Sequence, residues 1–176
     1  IIVFLLELMQ TVGIGAASFL LGLASFIVSQ WLSCLCCEAR SDAGVEFGIP
    51  SLASYRWFVQ FGSLRAFRDQ WCYVLSGSPW VVWLYKLLGA NIGRQVYISH
   101  AQIWEPWFVS IGDGVSLNKN VCVSPHSVQI GKKVSVRHMR LSNNVTILEG
   151  CTINGTCVPD RVLIGSLSRP FTAQEL

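Results

Sequence analysis

The chain has 176 residues, of which 52% are hydrophobic and only 13% charged, and its formal net charge is +3. An average soluble domain carries about a quarter charged residues, and the mean hydropathy here is +0.47. These values exclude a disordered chain, an acidic tail and an ordinary cytosolic enzyme. Thirteen Lys and Arg against ten Asp and Glu, with no basic run, exclude a nucleic-acid binder.

The excess apolarity sits at the front. From Thr11 to Cys37 no side chain is charged, and about 20 apolar residues span a bilayer core. Residues 1–38 are therefore expected to form a transmembrane segment. The chain opens without Met inside this apolar run, as a piece of a longer protein would. Arg40, Arg56, Arg65, Arg68, Lys86 and Arg94 all follow the span and nothing basic precedes it. The positive-inside rule then places the remainder on the cytoplasmic face of an integral membrane protein. Cys34, Cys36 and Cys37 cluster at the span's end. They read as small apolar fillers more readily than as acylation sites.

Residues 39–89 form a junction. Tyr55-Arg56-Trp57-Phe58 mixes rings and guanidinium, which suits a helix lying near lipid headgroups. Trp57, Trp71, Trp80 and Trp83 are expected in that interfacial belt. Ser78, Pro79 and Gly89 bracket a short apolar helix as cap, first turn and stop.

Residues 90–168 form a repeat, followed by a tail at 169–176. Ile-Gly recurs at 92–93, 111–112, 130–131 and 164–165, and aliphatic residues recur about every six between them. Ile92 leads to Ile98, Ile111 to Leu117 and Val123, Ile130 to Val136, and Leu141 to Ile147 and Ile153. The phase slips near 128–130 and again near 136–141. Six residues taken three times close a triangular coil, with the aliphatic residue inside and Gly or Asn at the corners. The expected fold is mainly β: a left-handed parallel β-helix of four to five coils, preceded by a transmembrane helix and short interfacial helices. The sequons at Asn144 and Asn154 read as turn residues.

Two stretches carry a family resemblance. They are Leu87-Leu88-Gly89-Ala90-Asn91-Ile92-Gly93 through Val96-Tyr97-Ile98, and Glu105-Pro106-Trp107-Phe108-Val109-Ser110-Ile111-Gly112-Asp113. The chain resembles the membrane-associated C-terminal domain of poly-lysine-type nonribosomal peptide synthetases, within the hexapeptide-repeat acyltransferase superfamily. The resemblance implies a loop His as general base and a pantetheine thioester donor, on coenzyme A or a carrier protein. It further implies transfer to an amine or hydroxyl, and sister β-helix domains in a trimer or an intramolecular pseudo-trimer.

His126, in Val123-Ser124-Pro125-His126, occupies the position of that His. Asn118 is expected to orient a substrate carbonyl or the imidazole, and Glu105 to hold an ammonium or shape its corner. Lys132, Lys133 and Arg137 are the cations available to a donor phosphate. The segment between His126 and Ile130-Gly131 is short, and no carboxylate close in sequence is present to orient the imidazole. The spacing of His100, His126 and His138 gives no metal motif. A membrane-tethered acyl- or aminoacyltransferase module is the leading expectation. A non-catalytic β-helix scaffold completing a trimer-like assembly is the alternative.

Overall fold

The computed structural model describes residues 2–36, 44–129, 131 and 133–170. Helix α1 spans Ile2–Cys36, 35 residues without a break. Its stretch Met9–Ser29 is long and apolar enough to cross a membrane. Leu23, Phe26 and Ile27 of α1 pack against the core of the rest of the chain, at the 3- and 4-residue spacing of one helical stripe. Strand β1 (Val45–Gly48) and helix α2 (Leu52–Phe67) follow. Ser51 caps α2, exchanging side-chain and backbone hydrogen bonds with Ser54. The helix runs on through a π-helical turn, Arg68–Cys72.

Helix α3 (Pro79–Leu87) has Ser78 as its cap residue by position. The Ser78 hydroxyl turns back to donate to the Leu75 carbonyl instead of capping α3. Val81, Leu84 and Tyr85 are buried, and Trp80 and Trp83 point outward, 69% and 64% exposed. The Trp31 indole N–H at the end of α1 donates to the Leu87 carbonyl at 2.7 Å, tying α1 to α3.

The rest is a stack of coils. The first coil is β2 (Asn91–Ile92), β3 (Tyr97–Ile98) and β4 (Gln102–Ile103). The second is β5 (Val109–Ile111), β6 (Ser116–Leu117) and β7 (Cys122–Ser124). Next comes a hairpin, β8 (His126–Gln129) and β9 (Lys133–Val136). The third coil is β10 (Met139–Leu141), β11 (Thr146–Ile147) and β12 (Thr152–Asn154), and a fourth begins at Val158, bridged to Leu141, and continues in β13 (Leu163–Ile164). Successive strands fall in rotation into three parallel sheets, ordered β10-β5-β2, β13-β11-β6-β3 and β12-β7-β4. Ile98, Leu117, Ile147 and Ile164 stack in register on one side, and Ile103, Val123 and Ile153 on another. These columns are nearly all fully buried and bind each coil to the next.

The Ile-Gly dipeptides have a steric cause. A Cβ on Gly93 would lie 2.8 Å from the Gly112 carbonyl carbon, and one on Gly112 would lie 2.8 Å from that of Ser142. Glycine backbones therefore stack at this corner. Asp113, Asn143 and Asp160 each accept a backbone N–H from the coil before, at 2.6–2.9 Å.

Three expectations change. The described residues form three coils and part of a fourth, against the four to five expected. Val136, expected on a coil rung, belongs instead to the hairpin, with Gly131 in its turn at φ 94°, which accounts for the phase slips; Ile130 lies outside the described residues. The hairpin is joined by β1, making an antiparallel sheet β1-β9-β8 with a small core of Phe108, Val134 and Val136. Trp57, expected among headgroups, turns inward and packs against that core. Cys37 and Arg40 lie outside the described residues, as does the tail beyond 170.

Candidate functional site

Two turns meet at one corner of the stack. The first coil ends with Trp104-Glu105-Pro106. Glu105 adopts a left-handed conformation, φ 39°, and the following proline starts a 3-10 turn, Pro106–Phe108. One coil later, β7 ends at Ser124-Pro125 and the chain leaves the stack into the hairpin at His126. Because Ile103 lies beside Val123 in the β4–β7 register, the two corners are superposed. Glu105 and His126, 21 residues apart in sequence, therefore come into contact.

The contact is short and enclosed. His126 Nδ1 lies 2.9 Å from both carboxylate oxygens of Glu105. Glu105 is 3% exposed, and the His126 side chain is 18% exposed. A carboxylate only accepts, so Nδ1 carries the proton and donates it, leaving Nε2 as the basic nitrogen of the neutral ring. The Trp57 indole N–H donates to Glu105 Oε1 at 3.1 Å. The Trp57 and Phe61 rings stand edge-on to the imidazole, with centroids 5.1 and 5.4 Å away, and Phe61 stacks on Trp104. Ser124 Oγ donates to the His126 carbonyl at 3.1 Å. The Glu105 carboxylate and the two aromatic walls thus hold the ring. Among the described residues, Nε2 makes no hydrogen bond.

The orienting carboxylate that seemed missing next to His126 comes from the neighbouring coil. Asn118 is not part of this group. It sits at the other end of β7, where its amide donates to the Ile147 carbonyl at 3.1 Å and holds a coil corner. Arg137 is close: its N–H bonds the Pro125 carbonyl at 3.0 Å, and its guanidinium faces Glu46 at 3.9 Å, both half-exposed. Lys133 is the first residue of β9, paired with Gln129 at the hairpin tip and three residues from Val136, and Lys132 is outside the described residues. Trp57 and Phe61 were missed because α2 mixes polar and apolar residues around its circumference and shows no face in its sequence.

The other two His residues lie elsewhere. His138 packs on Phe108, centroids 4.8 Å apart. His100, at φ 48°, is held by Ser76 Oγ through both Nδ1 (2.9 Å) and its backbone N–H (2.6 Å). It borders a cleft of about 280 Å³ with Arg68, Cys72, Tyr73, Gln102 and Lys119. Burial pushes the Cys72 thiol up to about 11. Among the described residues no three of His, Cys, Asp and Glu gather as a metal site.

No protein-family model matches the chain, and no curated protein does. Among solved structures it is similar to a hexapeptide-repeat-containing acetyltransferase of Vibrio cholerae. That match has 16% identity, covers 69% of this chain and 83% of the other, and has a TM-score of 0.48. It is also similar to serine acetyltransferase isoform 3 of Entamoeba histolytica, solved with cysteine. Identity there is 16%, coverage 88% of this chain and 61% of the other, and the TM-score 0.24.

Proposed function

We propose that the chain is a membrane-tethered acyl- or aminoacyltransferase module whose coils form a left-handed parallel β-helix of the hexapeptide type. One observation carries this: a buried carboxylate, 2.9 Å from Nδ1, fixes the tautomer of a part-exposed imidazole. Buried ionisable groups are costly unless they are paired, and this pair leaves Nε2 as the base of a part-exposed ring.

In the reaction, Nε2 takes the proton of an acceptor amine or hydroxyl as its N or O attacks the thioester carbonyl. Glu105 steadies the imidazolium that forms. The C–S bond breaks as the C–N or C–O bond is completed, and the imidazolium returns its proton to the departing thiolate. The products are the acylated acceptor and a free thiol. The donor is a pantetheine thioester, on coenzyme A or a carrier protein. Arg137, whose backbone N–H bonds the Pro125 carbonyl beside His126, is the cation for its phosphate, with Lys132 and Lys133 as the further cations of this role.

The membrane is the partner of α1, with the coils on the cytoplasmic side, and sister coil domains complete the assembly. The test is thiol release from acetyl-coenzyme A by the full chain in membranes, compared with His126→Gln. Loss of release in the variant at an unchanged melting temperature supports the reading. Equal release by both proteins removes His126 from the chemistry.

A further inference from the structure

The site lies close to the end of the membrane-spanning stretch, and α2 connects the two. Phe19 meets Trp71 and Phe26 stacks on Phe67, with centroids 3.7 and 3.8 Å apart. Rising numbers on α1 meet falling numbers on the α2 segment, so the two run antiparallel. From Phe67 back to Phe61 is about 9 Å along the helix, and back to Trp57 about 15 Å, at 1.5 Å per residue. Phe26 is itself about 5 Å short of Ser29, where the apolar stretch ends. The imidazole touched by Trp57 and Phe61 therefore lies about 5–10 Å beyond that end. A headgroup layer is about 5–8 Å deep on each side of the hydrocarbon.

The outward face of α2 suits that depth. Leu52, Tyr55, Phe58 and Val59 are all exposed by half or more. Arg56 and Arg65 are exposed beside them, as guanidiniums facing lipid phosphates would be. Trp31, Trp80 and Trp83 are exposed around the α1–α3 junction, the placement of an aromatic belt. Phe58 also links the outer face to the site. Its ring stands against Trp57, 5.0 Å between centroids, and Trp57 in turn bonds Glu105 and walls His126. An apolar path thus leads from exposed helix surface to the catalytic pair.

We propose that the acceptor is a bilayer-resident amphiphile with an amine or hydroxyl head, which reaches His126 from the membrane along the exposed face of α2. The proposal rests on the transferase reading above and names the substrate class for it. A water-soluble acceptor gains nothing from this face, whereas a membrane-anchored one is concentrated in the plane of the site and spends less orientational freedom on binding.

The experiment uses the full chain in the membranes of its expression host, supplied with acyl-labelled acetyl-coenzyme A. Label is followed into the lipid and the aqueous fractions. In parallel, Phe58→p-benzoylphenylalanine is irradiated in the same membranes, with the same photoreactive residue at exposed Leu163 on the last coil as control. The expected result is His126-dependent label in lipid, reduced at least tenfold in Phe58→Asp at an unchanged melting temperature. Lipid adducts are expected at position 58 and not at 163. Label found only in water-soluble product, or no lipid adduct at 58, overturns the amphiphile proposal and leaves the transferase reading standing. Absence of any His126-dependent transfer overturns the transferase reading, and the acceptor proposal falls with it.

Discussion

Replacing Glu105 by Gln tests the catalytic pair with little change of shape. The carboxylate accepts from His126 Nδ1 at 2.9 Å and from the Trp57 indole at 3.1 Å, at a position only 3% exposed. A hydrogen bond to a charged group is worth about 1.5–3 kcal/mol, and a neutral one about 1. Gln keeps one acceptor oxygen for Trp57 but loses the negative charge that stabilises the imidazolium. Its NH2 can also face Nδ1, which turns the imidazole to the tautomer with the proton on Nε2 and blocks the base. A loss of 1.5–3 kcal/mol in the transition state lowers kcat about 10- to 150-fold. The tautomer change pushes the value toward the upper end. The melting temperature should change little, because the volume is kept and the buried charge is gone. The assay is initial-rate thiol release from acetyl-coenzyme A in membranes, with a melting curve on the same preparation. Glu105→Gln within twofold of the parent rate, while His126→Gln is inactive, would refute the claim that Glu105 works through the imidazole.

Trp57→Phe removes only the indole N–H from Glu105. About 1.5 kcal/mol is lost, the lower end for a bond to a charged group, so kcat should fall about tenfold, and a change confined to KM would contradict a positioning role. Gly112→Ala places a Cβ 2.8 Å from the Ser142 carbonyl carbon. The backbone of the next coil cannot move aside cheaply, so about 2–3 kcal/mol is expected to be lost, seen as a drop of roughly 5–10 °C in melting temperature. Cys72 sets an alkaline limit. Its thiol is neutral below pH 9 in both states, and above pH 9 the unfolded chain ionises while the folded one resists to about 11. Stability therefore falls as pH rises from 9 to 11, by up to about 3 kcal/mol. Buried Tyr85, also raised by desolvation, adds in the same direction. A flat melting temperature across that window would contradict the burial of both groups. Gln60 is buried with its amide nitrogen unpartnered, so Gln60→Met should raise stability by about 1 kcal/mol in chemical denaturation.

The columns of the coils were legible because their cause is local in sequence. Ile98, Leu117 and Ile147 must each point inward, and six residues return the chain to the next side. The hairpin was not legible, because Val128, Val134 and Val136 supply the same letters as a coil rung. Ile130-Gly131 also repeats a dipeptide that elsewhere marks a stacked corner. In β8 and β9 those valines instead serve a period-two antiparallel pairing, and only the third strand, β1, far back in the chain, makes that pairing worth forming.

The same argument explains why His126 and Glu105 were each found but not joined. Their contact depends on which residues of consecutive coils lie side by side. A sequence period of about six fixes that only when no coil is lengthened. Between β4 and β7 the chain inserts the Pro106–Phe108 turn, which shifts the count. Once Ile103 is known to lie beside Val123, two further steps along each strand bring Glu105 beside Pro125, and His126 follows. The hairpin then has a second consequence. Because the chain leaves the stack at His126, the imidazole stands at the margin of the prism and not over a closed corner. Helix α2 closes that margin with Trp57 and Phe61. A helix that walls the His126–Glu105 pair, and is also held to α1 through Phe67 and Trp71, fixes the distance between that pair and α1. Shortening α2 by one turn between Phe61 and Phe67 would withdraw either the aromatic wall from His126 or the aromatic contacts from α1. On the proposed function, tethering and catalysis are coupled through the length of one helix.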